Sequence, residues 1–520
     1  MDPGMLKKGI LQINYREERS ICRDCRNELG QTCIKCEEGS AALIIRVGDA
    51  FCKSCFKEYF VHKFRAMLGK NRVVYPGEKV LLAYSGGPSS SAMIKQVQEG
   101  LSRDAPKKLR FNPGVLFIDE GAVCAQSWEQ RDRVISEIQN VLQKNTFPFH
   151  VVPLEQVFSL TRSVLQTNPP TENTEQAENY KQAVSSFLGQ QRAHGEDGLL
   201  EADALAQLCV ADSAGPERTD TLPISTPCSR PPAEYTTALM EIFTSARTQT
   251  AKQELLQSLR NHLILHVART GGYSKVMTGE SCTRLADRLL ANISLGRGAF
   301  LPLDTGFSDH RYGDVVIVRP MRDYSLKEIS FYNRFFKVPS VFIPTMDTKA
   351  PENSSIQRLS ESFITKLQAD FPSTVSTVYR TSEKLNVSRT EMKREISQQE
   401  RCLLCMCNID THVGTASAFY ATQVSQHLSQ KRPTNGTEPG TQCCNKEQCC
   451  ERSASHPTSA PDTQDFVRLL CYSCRVTLRD LPSVSSLPPY ILQEAEHRSH
   501  RLEMRKEIQE FLIDEDSDDI

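Results

Sequence analysis

The 520-residue sequence has no apolar run approaching the length of a membrane span, and its start lacks a charged segment followed by a short apolar core. A helical membrane protein is thereby excluded, no secretory leader is visible, and a cytosolic or nuclear compartment is expected. An excess of charge is also missing, since 62 basic residues face 63 acidic ones. Any nucleic-acid surface must therefore be local. Cysteine is plentiful, with 19 residues. In a reducing compartment these are poor disulfide candidates, and eight of them at paired spacing point to metal. The length exceeds one ordinary core, so two or three folded units are expected.

The stretch from Glu78 to Ser91 organises the chain. Val80 to Tyr84 is a short apolar run suited to a buried parallel strand, and Ser85-Gly86-Gly87 breaks it. Pro88 fits the first position of a helix whose apolar face is Ala92, Met93, Ile94 and Val97. Strand, glycine turn and helix start present unpaired N–H groups and a positive dipole end to an anion. Ser85, Gly86, Gly87, Ser89, Ser90 and Ser91 are the candidate phosphate cradle, although a serine-rich loop without ligand has the same composition.

Three CxxC pairs precede it: Cys22/Cys25, Cys33/Cys36 and Cys52/Cys55. Two pairs complete a tetrahedral site, and Cys33, Cys36, Cys52 and Cys55 are favoured because Ala41 to Val47 reads as a strand able to form a hairpin between them. A second quartet is Cys402, Cys405, Cys471 and Cys474, across a long polar stretch containing Cys443, Cys444, Cys449 and Cys450. Structural zinc is expected at both quartets. Phe56, Phe60 and Phe64 mark the buried stripe of a helix. From Lys53 to Lys79 seven basic residues face two acidic ones, so Lys57, Lys63, Arg65, Lys70 and Arg72 form a candidate phosphate-contacting surface, although a solvated helix face would carry the same charges.

Further strands are expected at 114–119, 149–154, 275–278 and 314–319, alternating with helices at 128–142, 252–270, 282–295 and 326–336. This alternation predicts an α/β, Rossmann-like parallel sheet. Asp119 and Glu120 fall at a strand end, where a ligand could be met. Residues 165–235 hold eleven acidic against four basic residues and read as an insertion. The expected organisation is a lead (1–21), an N-terminal cysteine module with a basic helix (22–75), the interrupted α/β domain (76–395), a C-terminal cysteine module with a polar insertion at 408–465 (396–480), and a final helix with an acidic tail (481–520).

The Ser85-Gly86-Gly87-Pro88-Ser89-Ser90 turn resembles the PP-loop of the ATP pyrophosphatase family, an adenine nucleotide alpha-hydrolase-like fold, with Ser89 where that family carries aspartate. Gly279-Glu280-Ser281-Cys282-Thr283-Arg284, closing at Leu295-Gly296-Arg297-Gly298, and Arg319-Pro320-Met321-Arg322-Asp323 before Lys327-Glu328 are similar to the tRNA 2-thiolation branch. Thr283 and Arg284 replace paired aspartates there, and residues 241–270 lack the branch's cysteine pair. The resemblance implies a non-catalytic partner of a catalytic PP-loop subunit, zinc-ribbon-like modules flanking the sheet, and doubtful use of ATP. It further implies a cytoplasmic pair moving sulfur from a thiocarboxylated ubiquitin-related modifier onto the wobble uridine of lysine, glutamine and glutamate tRNAs.

Overall fold

The computed structural model describes residues 31–45, 49–102, 105, 108–166, 180, 182–187, 230–348, 350–382, 401–409 and 463–509. Cys22, Cys25, the cysteines at 443–450, most of the acidic stretch and the acidic tail lie outside the described residues.

A two-residue antiparallel hairpin, β1 (Leu43–Ile44) with β2 (Ala50–Phe51), leads into α1 (Lys53–Asn71). The α/β alternation follows: β3 (Lys79–Ala83), α2 (Pro88–Leu101), β4 (Asn112–Asp119), α3 (Trp128–Gln143) and β5 (Phe149–Pro153). After two short 3-10 turns the chain resumes with α4 (Ala233–Ser245), α5 (Gln249–Thr270), β6 (Lys275–Thr278), α6 (Cys282–Ser294), α7 (Leu301–Thr305), β7 (Ser308–Asp309) and β8 (Val316–Val318). Next come α8 (Leu326–Phe335), α9 (Ile356–Asp370) and α10 (Pro372–Thr381), then α11 (Thr463–Arg468), α12 (Tyr472–Arg479) and α13 (Pro489–Gln509).

Six strands form one sheet in the order β5-β4-β3-β6-β8-β7. All neighbours are parallel except β7, which pairs antiparallel with β8. The chain winds outward from β3 through β4 to β5, then returns past β3 to lay down β6 and β8. The reversal places a crevice at the carboxyl ends of β3 and β6, where open α/β sheets bind ligands.

Alternate strand residues feed two cores, as a pleat with period 2 requires. Leu81, Leu116, Val152, Val276 and Ile317 join α4, α5 and the C-terminal helices. Val80, Leu82, Val115, Phe117, Met277 and Val318 join α1, α2, α3 and α8. On that second face Phe56, Phe60 and Phe64 are buried, and Phe60 stacks on Tyr332 with ring centroids 4.0 Å apart.

One feature differs from the sequence reading. The described core runs on through Gln166 and resumes at Arg230, and α4 is ordered through Leu239, Ile242 and Phe243 at helical spacing. The acidic, threonine-rich residues before it masked that apolar stripe. The C-terminal cysteine module packs directly on the α/β domain, since Cys402, Cys471 and Cys474 belong to the same apolar cluster as α5.

On α5, His262 is buried with Nδ1 2.6 Å from the Tyr490 hydroxyl of α13. Burial pushes its imidazole down to about 4. An unfolded histidine takes up its proton near 6.5, so the folded state resists protonation and loses stability as pH falls from about 6.5 to 4. The loss reaches up to about 3 kcal/mol at one pKa unit per 1.36 kcal/mol. His262→Gln is expected to flatten the urea midpoint across that window relative to the parent chain.

Candidate functional site

The strand β3 ends at Ala83, and the chain turns through Ser85-Gly86-Gly87 into α2, which carries proline in its first turn. Gly86 has φ +77°, and a Cβ there would lie 2.8 Å from Ile343 Cδ1 and 3.2 Å from the Val341 carbonyl oxygen. Glycine is therefore required by backbone handedness and by space. Gly86→Ala should cost at least about 1–2 kcal/mol, the usual penalty of left-handed backbone, read as a lower denaturant midpoint. At the end of β6, a Cβ on Gly279 would sit 2.9 Å from the Ser90 backbone. The two glycine turns thus meet at the crevice.

Gly87 is the N-cap of α2 and supplies no side-chain cap. The first-turn N–H groups have no partner within the helix and lie at its positive dipole end. The hydroxyls are less free. Ser90 Oγ accepts from the Ser85 N–H at 3.3 Å, donates to the Gly87 carbonyl at 3.0 Å, and lies 3.2 Å from Ser85 Oγ. Ser91 Oγ lies 3.4 Å from the Tyr84 hydroxyl. Ser90 and Ser91 are buried, Ser89 is half-buried and Ser85 is exposed. The loop has the backbone geometry of a helix N-terminus, while two of its hydroxyls hold the turn itself.

Carboxylates near the crevice are engaged with arginine. Asp119 accepts from Arg131 Nε at 2.7 Å and from the Gly121 N–H at 2.9 Å. The same guanidinium makes a bidentate pair with Glu155 at 2.6 and 2.9 Å. Glu120 is held by Arg260, with Nη2 at 2.9 Å. Glu280, at the end of β6, meets Arg288 at 2.6 Å and Arg319 at 2.8 Å. Burial pushes the Glu280 carboxyl up, but these guanidiniums outweigh it and hold the group below its ordinary range. The replaced aspartate positions are packed as well. Thr283 Oγ1 donates to Gln368 of α9 at 3.2 Å, and Arg284 pairs with Glu361 of α9 at 3.1 Å. Cys124 and Cys282 are the free thiols of the α/β domain among the described residues, and burial pushes both up to about 11. Such thiols are poor nucleophiles at neutral pH.

The helix α1 presents its basic residues unequally. Lys70 and Arg72 are exposed, Arg65 is half-buried, and Lys57 is exposed 3.8 Å from Glu99. Lys63 corrects the expectation of a shared basic surface. Its ammonium meets Glu328 at 2.7 Å and lies 4.6 Å from the centre of the Tyr324 ring. Glu328 is buried and also closes a capping box with Ser325 at the start of α8. Lys63 therefore bolts α1 to α8. Sequence spacing could not separate it from its neighbours, because its partner lies 265 residues away.

Both cysteine quartets come together, with the four Sγ atoms of each within 4.8 Å of one another. They share one plan. Cys33/Cys36 and Cys402/Cys405 lie in turns, whereas Cys52 and Cys471 are the N-caps of α1 and α12, with Cys55 and Cys474 one turn inside. Helix N-termini favour thiolate. Burial pushes Cys33 up, but backbone N–H groups of Cys52, Cys36 and Lys35 outweigh it and leave the thiol at about 6. Burial and the crowding of the other thiols push Cys55 up to about 12. A divalent cation would resolve that conflict, since all-sulfur tetrahedral sets suit zinc or iron–sulfur centres. Cys407 stands outside the second quartet, with Sγ 2.9 Å from Arg311 Nη1.

Residues 355–476 match the family described as cytoplasmic tRNA 2-thiolation protein 2. The chain is 63% identical over 498 residues to cytoplasmic tRNA 2-thiolation protein 2-A of Xenopus laevis, covering 94% of this chain and 96% of that protein. It is 55% identical over 500 residues to the Danio rerio protein named cytoplasmic tRNA 2-thiolation protein 2, covering 94% and 96%, and 52% identical over 501 residues to the Homo sapiens protein, covering 94% of each. Among solved structures, the U34-tRNA thiolase NcsA of Methanococcus maripaludis with its 4Fe–4S cluster is similar at 13% identity and a TM-score of 0.43, covering 71% of this chain and 89% of that one. No helix among the described residues is long and apolar enough to cross a membrane. With identity above one half across nearly its whole length, the chain belongs to the cytoplasmic tRNA 2-thiolation protein 2 family.

Proposed function

We propose that this chain is the non-catalytic subunit of a cytoplasmic tRNA-thiolating heterodimer. Its partner is a PP-loop subunit carrying the adenylation chemistry. Together they place sulfur from a thiocarboxylated ubiquitin-related modifier on the wobble uridine of lysine, glutamine and glutamate tRNAs. One observation carries the reading: the crevice keeps the architecture of a nucleotide cradle while its carboxylates Asp119, Glu120 and Glu280 are tied to arginines. A magnesium-bound triphosphate needs free oxygen ligands, and Ser89 supplies no charge. Ser85, Gly86, Gly87, Ser89, Ser90 and Ser91 then act as a structural turn that retains the capacity to receive a phosphate. An enzyme active alone would need Asp119 or Glu120 released from Arg131 or Arg260.

The two quartets, Cys33/Cys36/Cys52/Cys55 and Cys402/Cys405/Cys471/Cys474, hold structural zinc in this reading. Lys57, Arg65, Lys70 and Arg72 guide tRNA toward the partner's active site. Neutralising these four to glutamine should weaken tRNA binding by the pair and flatten its dependence on salt. The log–log slope should fall by roughly 0.9 for each phosphate no longer neutralised, or somewhat less for single-stranded segments. Unchanged affinity and slope would remove α1 from the tRNA surface.

The subunit assignment is tested in cells lacking the chain, by measuring 2-thiouridine in the three tRNAs. The parent chain and Ser85→Ala are expected to restore it equally. Failure of Ser85→Ala, with the protein folded and the pair assembled, would show that this loop takes part in the chemistry.

A further inference from the structure

Where α6 stops, Gly296 and Arg297 reach the C-terminal quartet. Gly296 has φ +77°, and a Cβ there would lie 2.7 Å from the ring of Tyr472, the residue after Cys471. Arg297 Nη2 lies 3.9 Å from Cys474 Sγ and 2.5 Å from Glu254 of α5. The arginine side chain is only 12% exposed. Its Nε finds no hydrogen-bond partner among the described residues. Four thiolates around a divalent ion carry a net charge of −2, and in a buried apolar setting that charge requires a nearby cation. Glu254 alone would already balance Arg297, so a quartet of neutral thiols gives the arginine no reason to lean on sulfur. The four donors, their burial and this cation together fit a metal–tetrathiolate.

We propose that Arg297 is the counter-ion of the C-terminal tetrathiolate and that metal loading there fixes the end of α6, the helix that begins at the crevice. The inference rests on the zinc reading of the quartet. Tyr472 packs on Gly296 while Arg297 spans Cys474 and Glu254, so the metal site, α5 and α6 are clamped at one point. Arg297 is a positioning residue, acting on the metal through charge and on the crevice through the helix.

The test uses the full-length zinc-loaded chain titrated with a chelator, with thiol alkylation mapped by peptide mass so that each quartet reports separately. Arg297→Met is expected to release Cys402, Cys405, Cys471 and Cys474 at a chelator strength about ten- to a hundredfold lower, the usual effect of losing an outer-shell partner. The N-terminal quartet should not shift. Arg297→Lys should recover part of the loss, and Glu254→Gln should leave the C-terminal quartet as tight or tighter, because it frees the guanidinium for sulfur. Hydrogen exchange in residues 282–298 should rise on zinc removal and, in Arg297→Met, rise with zinc bound. An unshifted C-terminal quartet in Arg297→Met, a parallel shift of both quartets, or a loss in Glu254→Gln equal to that in Arg297→Met would overturn the proposal. Alkylation of the C-terminal thiols in the zinc-loaded parent chain would instead refute the zinc reading.

Discussion

Arg131→Met is expected to cost about 3–5 kcal/mol, the range for removing one partner from a buried ion pair. The guanidinium is 3% exposed and answers two carboxylates, Asp119 at 6% and Glu155 at 0%. Methionine keeps much of the stem volume but strands both acids away from water. Those acids then take up protons or draw water inward, and β4 and the turn after β5 loosen. Arg131→Lys should recover little, because one ammonium cannot reproduce the bidentate fork to Glu155. The check is the urea midpoint at neutral pH for the parent, Arg131→Met and the triple change Arg131→Met/Asp119→Asn/Glu155→Gln. The triple change is expected to regain part of the loss, since it removes the stranded charge. Equal loss in the single and triple variants would mean that packing, not charge, holds this corner.

The second large effect, which follows from the proposed zinc, is expected at the C-terminal quartet. Cys402, Cys471 and Cys474 lie in the apolar cluster formed with α5 and α13, whereas the N-terminal thiols join neither large cluster. Cys474→Ser should therefore do more than lose a metal. With one thiolate gone the remaining three no longer close a tetrahedral site, and the binding free energy that supports the fold, of order 10 kcal/mol for structural zinc, is largely lost. Residues 401–409 and 463–509 are expected to lose hydrogen-exchange protection, and α5 with them. Cys36→Ser, at an exposed ligand, should stay local to residues 31–55. Because thiols must shed protons to bind, metal affinity at both quartets should rise with pH and fail in acid. Similar global losses in both variants would contradict this ranking.

The strong periodic elements were legible in the sequence, and the physical reason is burial. Each of β3, β4, β5 and β6 is a short apolar run because it is covered on both faces, and β6 begins and ends where its residues predict. The C-terminal quartet was legible from the spacing of its cysteines, whereas the N-terminal one needed the strand expected at Ala41 to Val47 to choose between three CxxC pairs. The edge strand β7 was not, because two residues carry no period. The helix α9 escaped notice as well. Its Leu359 and Phe363 are exposed while its buried face is chiefly Ser360 and Ile364, so its apolar pattern does not mark the core side. Lys63 and the acids at 119, 120 and 280 were visible as charges, but their partners are set by tertiary contact. Local sequence shows that a charge exists and is silent on whether it is already spent.

The central claim is that the crevice has the shape of a nucleotide site without its chemistry. Its most direct test is ATP-dependent pyrophosphate release with unthiolated tRNA, measured for the purified chain alone, for the proposed catalytic PP-loop partner alone, and for the pair. Release that requires the partner and is unchanged by Ser85→Ala in this chain is the predicted result. Robust release by this chain alone, abolished by Ser85→Ala, would contradict the account and make Ser89 a working substitute for the aspartate.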